Sequence, residues 1–147
     1  MKNELKIFIT AVMFYTRIPI PKKIGFSGIN LNNSIRYLPL IGILVGSFSA
    51  SIYYLSNFLF VSNISLIFSM ISSLMITGAF HEDGFADYCD GMGGGFKQEK
   101  ILQIMKESRL GSFGTIGLIL ILLLKYALLL KLSFLNLFLL LIIGHSL

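Results

Sequence analysis

The sequence predicts an all-α, polytopic helical integral membrane protein with an acidic metal-binding helix at the cytoplasmic membrane surface. Three observations carry this. From Tyr37 to Phe80 the chain holds no Lys, Arg, Asp, Glu or His. Only 13% of all residues are charged, against about 25% in an ordinary soluble domain. The stretch HEDGFADYCDGMGGG, His81 to Gly95, then gathers Glu82, Asp83, Asp87 and Asp90, four of the seven acidic residues. Ionised carboxylates beside hydrocarbon are costly unless a cation, a cationic partner or a water-filled cavity compensates them.

Length and composition narrow the class. At 147 residues the chain predicts a single helical membrane domain, 1–147. The single Cys, Cys89, excludes an internal disulfide and a zinc cluster of paired cysteines. The net charge of +5 points to a lipid bilayer rather than to nucleic acid, because the basic residues cluster in the polar connections. The basic N-terminus precedes no recognisable signal-peptide cleavage site.

Leu5 to Tyr15 is apolar but short for a bilayer about 30 Å thick. Pro19 and Pro21 end any helix there, so an interfacial or re-entrant helix is expected, with a short span as the alternative. Gly25 to Asn33 is a polar connection, and Arg36 borders the uncharged run. That run fits two spans, Leu38–Phe58 and Ser62–Phe80, joined by a turn around Asn57 to Asn63. Gly42 and Gly46, four apart, allow close helix contact, which is taken as plain packing.

The acidic segment follows the second span directly. On a helix, Asp83, Asp87 and Asp90 fall within about 60° of one another, and Asp83 to Asp90 covers about 10 Å of axis. Three anions on one stripe repel unless a hard divalent cation sits among them. Oxygen donors favour Mg²⁺, Mn²⁺ or Ca²⁺ over zinc. Glu82 is a further candidate ligand, although it points away if the helix is continuous; a start at Gly84 would free it. The competing reading is a solvated acidic helix end. Cys89 faces away from the stripe and is taken as packing. After Asp90, GMGGGF predicts a backbone bend in which Gly93 and Gly94 expose N–H groups to an anion; a mere turn is the alternative.

Lys97 to Arg109 predicts a short amphipathic helix whose Ile101, Leu102, Ile104 and Met105 face protein or the interface. Phe113 to Leu132 is a third span, with Lys131 able to snorkel and Lys125 deeper. Phe134 to Gly144 begins another apolar helix. The chain stops at Leu147 without a polar tail, which predicts the N-terminal part of a longer protein. Two spans between Arg36 and His81 put both basic connections on one side. Positive-inside bias places that side, and the acidic motif, at the cytoplasm.

Acidic and basic groups together suggest a phosphate bridged to metal. Lys106, Ser108 and Arg109 lie within 20 residues of the Asp stripe, and Arg36 ends on the same membrane face. A metal would neutralise charge on the transferred phosphoryl group. No Ser–His–Asp or Cys–His arrangement is evident, so a second substrate's hydroxyl is the expected attacker. His81 or an unligated carboxylate would take its proton; a capping or bystander role is the plainer reading of His81.

RYLPLIGILVG (Arg36–Gly46), TGAFHEDGFADYCDGMGGG (Thr77–Gly95) and KESRLGSFG (Lys106–Gly114), with TRIP near the start, resemble the cobalamin synthase family. The likeness covers nearly the whole chain in collinear order. It implies a multi-pass, Mg²⁺-dependent transferase of the cytoplasmic (inner) membrane. Its substrates would be adenosylcobinamide-GDP and α-ribazole or its 5′-phosphate, with GMP released. Asp83, Asp87 and Asp90 occupy the family's acidic motif. Members continue with further membrane helices, which agrees with a truncated chain.

Three other readings are weighed. A CDP-alcohol phosphotransferase needs Ala where Asp87 stands and a later D-x-x-x-D that is missing. A membrane prenyltransferase needs a second Asp motif. A divalent-cation transporter, the non-enzyme alternative, would carry its acids at mid-membrane rather than beside Gly and basic residues.

Overall fold

A computed structural model describes residues 2–20, 28–107 and 109–146. Those residues are helical with short connections and contain no strand. They fall into two compact units: Met1–Gly78 with Leu132–Leu147, and Ala79–Lys131.

In the first unit, α1 (Lys2–Tyr15), α2 (Gly28–Ser34), a 3-10 turn (Ile35–Tyr37), α3 (Leu38–Ser56), α4 (Ser62–Thr77) and α8 (Phe134–Ser146) pack around α3. The helix of α1 ends at Tyr15, before the two prolines, as expected. Ile7, Thr10, Ala11 and Val12 of α1 are buried. Ala11 and Val12 form a core with Ile41 and Val45 of α3, and Ile76 of α4 packs against it. Asn30–Ser56 is a continuous apolar helical stretch of 27 residues, long enough to cross a bilayer. Pro39 sits in the first turn of α3, where its missing N–H costs little.

Where α3 meets its neighbours the side chains are small. Ser49, Ser65 and Ser69 are fully buried. Most of these hydroxyls donate to carbonyls of their own helix or its approach, as Ser49 does to Val45 at 3.0 Å. Ser69 instead donates across to the Ser49 carbonyl at 2.8 Å, joining α4 to α3. The turn between the helices is held by Asn57, whose amide donates to the Tyr53 carbonyl, and by Ser62, whose hydroxyl donates to Asn57 Oδ1.

The second unit holds α5 (Phe80–Gly94), α6 (Gln98–Met105) and α7 (Ser112–Leu129), with α6 and α7 both packed on α5. At 18 residues and mean hydropathy 2.1, α7 is long and apolar enough to cross a membrane. Its Ile116, Ile119, Leu120, Leu123 and Leu124 are all more than half exposed, the pattern of a helix solvated by lipid. By length and composition the described residues provide two crossing helices, or three if α4 and α5 form one broken span.

Candidate functional site

The site lies in the second unit and is built by the start of α5. Gly78 closes α4 in the left-handed conformation at φ 68°, and Ala79 follows at φ 57°. A non-glycine residue at positive φ is uncommon and signals a constrained turn. With the turn made there, α5 begins at Phe80 rather than at Gly84. Glu82 and Asp83 fall in its first turn, where the helix dipole favours anions. Ala79, Glu82, Asp83, Ala86 and Asp87 then repeat at three- and four-residue intervals on one face.

That face forms one wall of an open cleft of ≈ 370 Å³. Met105, Lys106, Glu107, Arg109 and Leu110, from the end of α6 and the segment after it, line it too, with Leu118 of α7. Glu82 therefore faces the cleft, which corrects the expectation that continuous helix would turn it away. The four acidic and two basic lining residues leave a formal excess of two negative charges. Such a lining repels an unaccompanied anion and favours a cation or a cation-bound anion.

The structure divides the expected Asp stripe. Asp83 and Asp87 line the cleft; Asp90 does not. Asp90 is buried, at 8% exposure. Its Oδ2 accepts from the Gly111 N–H at 2.7 Å and its Oδ1 from the Gly114 N–H at 2.8 Å. Among the described residues no three His, Cys, Asp or Glu side chains are grouped to hold a metal ion.

The glycine run is a second correction. The backbone does not bend after Asp90, because α5 continues to Gly94. The missing side chains serve close packing instead. A Cβ on Gly93 would overlap the Phe113 ring, and one on Gly94 would come 3.3 Å from Ile104. A Cβ on Gly91 would come 2.7 Å from Met105. An anion nest does not form at Gly93 and Gly94, since α6 and α7 occupy the face that the glycines open. Cys89 also packs as expected: its sulfur would lie 2.6 Å from a Cβ on Gly117 of α7.

His81 is exposed, makes an edge contact with Phe80 at 5.5 Å between centroids, and is not on the cleft wall. Arg36 belongs to the first unit. There its Nη2 donates to Glu4 Oε2 at 2.6 Å, and the Tyr37 hydroxyl donates to the same oxygen at 2.8 Å. Hydrogen bonding from Tyr37, then from Arg36, holds the Glu4 carboxyl below its ordinary value. Ser108 lies outside the described residues. Sequence reasoning missed Glu107 and Leu110 on the cleft wall and the two glycines that hold Asp90. Their signal was present in KESRLGSFG, whose glycines bracket the first turn of α7.

The model of the family described as Cobalamin-5-phosphate synthase matches residues 7–147. The chain belongs to that family. Among curated members, an adenosylcobinamide-GDP ribazoletransferase of Shewanella amazonensis is 48% identical over 132 residues, 90% of this chain and 51% of the relative. One of Vibrio cholerae is 46% identical over 133 residues, with the same coverage. One of Leptospira biflexa is 51% identical over 122 residues, covering 83% of this chain and 44% of its own. The chain thus spans about half the length of these relatives. No solved structure matches it significantly.

Proposed function

We propose that this chain is part of an adenosylcobinamide-GDP ribazoletransferase. In this reading it transfers the adenosylcobinamide phosphate group from adenosylcobinamide-GDP to α-ribazole or its 5′-phosphate. The products are adenosylcobalamin or its 5′-phosphate, and GMP. Beyond family membership, one observation carries the reading: Asp83, Asp87, Lys106 and Arg109 line a single cleft.

Mg²⁺ is the proposed cofactor. Asp83 and Asp87, one helical turn apart, would hold it; Mg²⁺ commonly takes only one or two protein carboxylates where it acts on a phosphate. Bound there, it would supply charge neutralisation on the diphosphate. Lys106 contributes a point charge, and Arg109 a planar fork matched to two phosphate oxygens. The ribazole hydroxyl attacks the cobinamide-side phosphorus. A new P–O bond forms, the bridging P–O bond breaks, and GMP departs with its electron pair. With His81 off the cleft wall, Glu82 and Glu107, which line it, would accept the hydroxyl proton.

The protein is proposed to reside in the cytoplasmic membrane with the cleft facing the cytoplasm. Positive-inside bias supports this, since Arg36, Lys97, Lys100, Lys106 and Arg109 flank the uncharged run. Membranes carrying the full-length protein should release GMP only when adenosylcobinamide-GDP, the ribazole co-substrate and Mg²⁺ are all present. Release of CMP from a CDP-alcohol, of pyrophosphate from a prenyl donor, or of no nucleotide alongside cation flux would sink it.

A further inference from the structure

Asp90 sits in the acidic motif, yet its environment differs from that of Asp83 and Asp87. Both of its oxygens are taken by main-chain donors of another helix. Those donors, Gly111 and Gly114, are at and just inside the start of α7, where N–H groups lack intrahelical partners. Gly111, the residue preceding α7, offers no side chain to cap it. Asp90 supplies the missing cap from a distance and places its carboxyl group at the positive end of the α7 dipole.

The fit leaves no alternative residue on the other side. A Cβ on either Gly111 or Gly114 would collide with the Asp90 carboxylate. The segment that Asp90 anchors is the one that brings Arg109 and Leu110 to the cleft. Its other end is the last turn of α6, whose Met105 packs over Gly91, the next residue after Asp90.

We infer that Asp90 is a positioning residue rather than a metal ligand: it caps α7 and so fixes Arg109 and Leu110 in the cleft that Asp83 and Asp87 line. The inference rests on the proposed cleft for its consequence, but its geometry is independent of the reaction. Asp90 is buried and off the cleft wall that Asp83 and Asp87 line, and each of its oxygens is aimed at an N–H at the start of α7 rather than at a shared cation position.

Two measurements on the detergent-solubilised full-length protein separate the roles. The first is Mn²⁺ binding followed by its paramagnetic resonance signal. Asp83→Asn and Asp87→Asn should weaken it about tenfold or more, while Asp90→Asn leaves it within about twofold. The second is amide hydrogen exchange. Asp90→Asn keeps one acceptor but turns an amide donor toward the other N–H, so exchange at Gly111 and Gly114 should quicken by about tenfold or more. Asp83→Asn should leave those amides protected. Should Asp90→Asn fail to accumulate, Gly114→Ala displaces the carboxylate while keeping its charge, and should give the same exchange and binding pattern. Loss of Mn²⁺ binding in Asp90→Asn equal to that in Asp83→Asn, or unchanged exchange at Gly111 and Gly114, overturns the assignment. A protein that shows this pattern but never releases GMP refutes the proposed reaction and leaves the role of Asp90 standing.

Discussion

Gly46 lies directly against the backbone of Leu141. A Cβ added to Gly46 would overlap the Leu141 carbonyl oxygen and come 2.6 Å from the Cα of Ile142. Backbone cannot step aside as a flexible side chain can, so this contact sets how closely α3 and α8 approach. Gly46→Leu should therefore destabilise the first unit by about 1–3 kcal/mol, the usual range for overpacking. Gly84 is the control. It is helical and exposed, with open space where a Cβ would go. Gly84→Ala should stabilise by about 0.5–1 kcal/mol, since alanine loses less backbone freedom in a helix. Heat-induced aggregation midpoints in detergent should move in opposite directions; a matching fall in both would show that Gly46 is not a packing contact.

Gly78 is constrained twice, by φ 68° and by the Arg17 side chain lying over it. The Arg17 N–H also donates to the Ile76 carbonyl at 2.7 Å. Gly78→Ala should cost roughly 1–2 kcal/mol from the left-handed backbone, plus the collision. Adding Arg17→Ala removes the collision but not the backbone strain. The double variant should recover only part of the lost stability, and full recovery would mean that the glycine is needed for space alone.

The Glu4 carboxyl, held low by Tyr37 and Arg36, makes a pH-dependent contribution. A depressed folded-state value means the stabilisation is complete above the ordinary value of 4.5 and is lost as pH falls through the lowered one. Glu4→Gln should lower the thermal midpoint slightly at neutral pH, because these groups are exposed and screened. The gap between variant and parent should close as the medium is acidified. A gap that persists in acid would assign the effect to packing.

Lys106 and Arg109 line the cleft, whereas Lys97 precedes α6 and does not. Removing a charged contact to phosphate typically weakens binding about tenfold or more. Lys106→Ala and Arg109→Ala should each raise KM for adenosylcobinamide-GDP to that extent, and Lys97→Ala should change it little. Steady-state GMP release at varied substrate provides the comparison. Equal effects from all three would point to a diffuse surface field.

The first span was legible because an uncharged stretch such as Tyr37–Phe80 has few alternatives to crossing lipid, and α3 falls inside it; α4, at 16 residues, is long enough to cross only if it forms one broken span with α5. The expected ends ran long: Phe58 lies in the turn, and Phe80 belongs to α5. Helix periodicity also put Asp83 and Asp87 on one face. It could not tell that Asp90 would turn to Gly111 and Gly114, because that pairing joins positions 21 and 24 residues apart. The glycines misled for a related reason. A missing side chain is equally useful for bending a chain and for admitting a neighbour, and only the arrival of Phe113, Ile104 and Met105 decides between them.

The hydroxyl of Ser69, donating to the carbonyl of Ser49, acts as a register pin. Apolar helices in hydrocarbon can slide past one another at small cost, since every sliding position offers similar contacts. A single directional bond tolerates no such slippage: a shift of one residue moves the donor about 1.5 Å along the axis and about 100° around it. The α3–α4 hairpin thus has one preferred vertical alignment before any later helix joins it. Gly78, at the far end of α4, therefore takes its level along α3 from a hydrogen bond made about two turns earlier in the same helix.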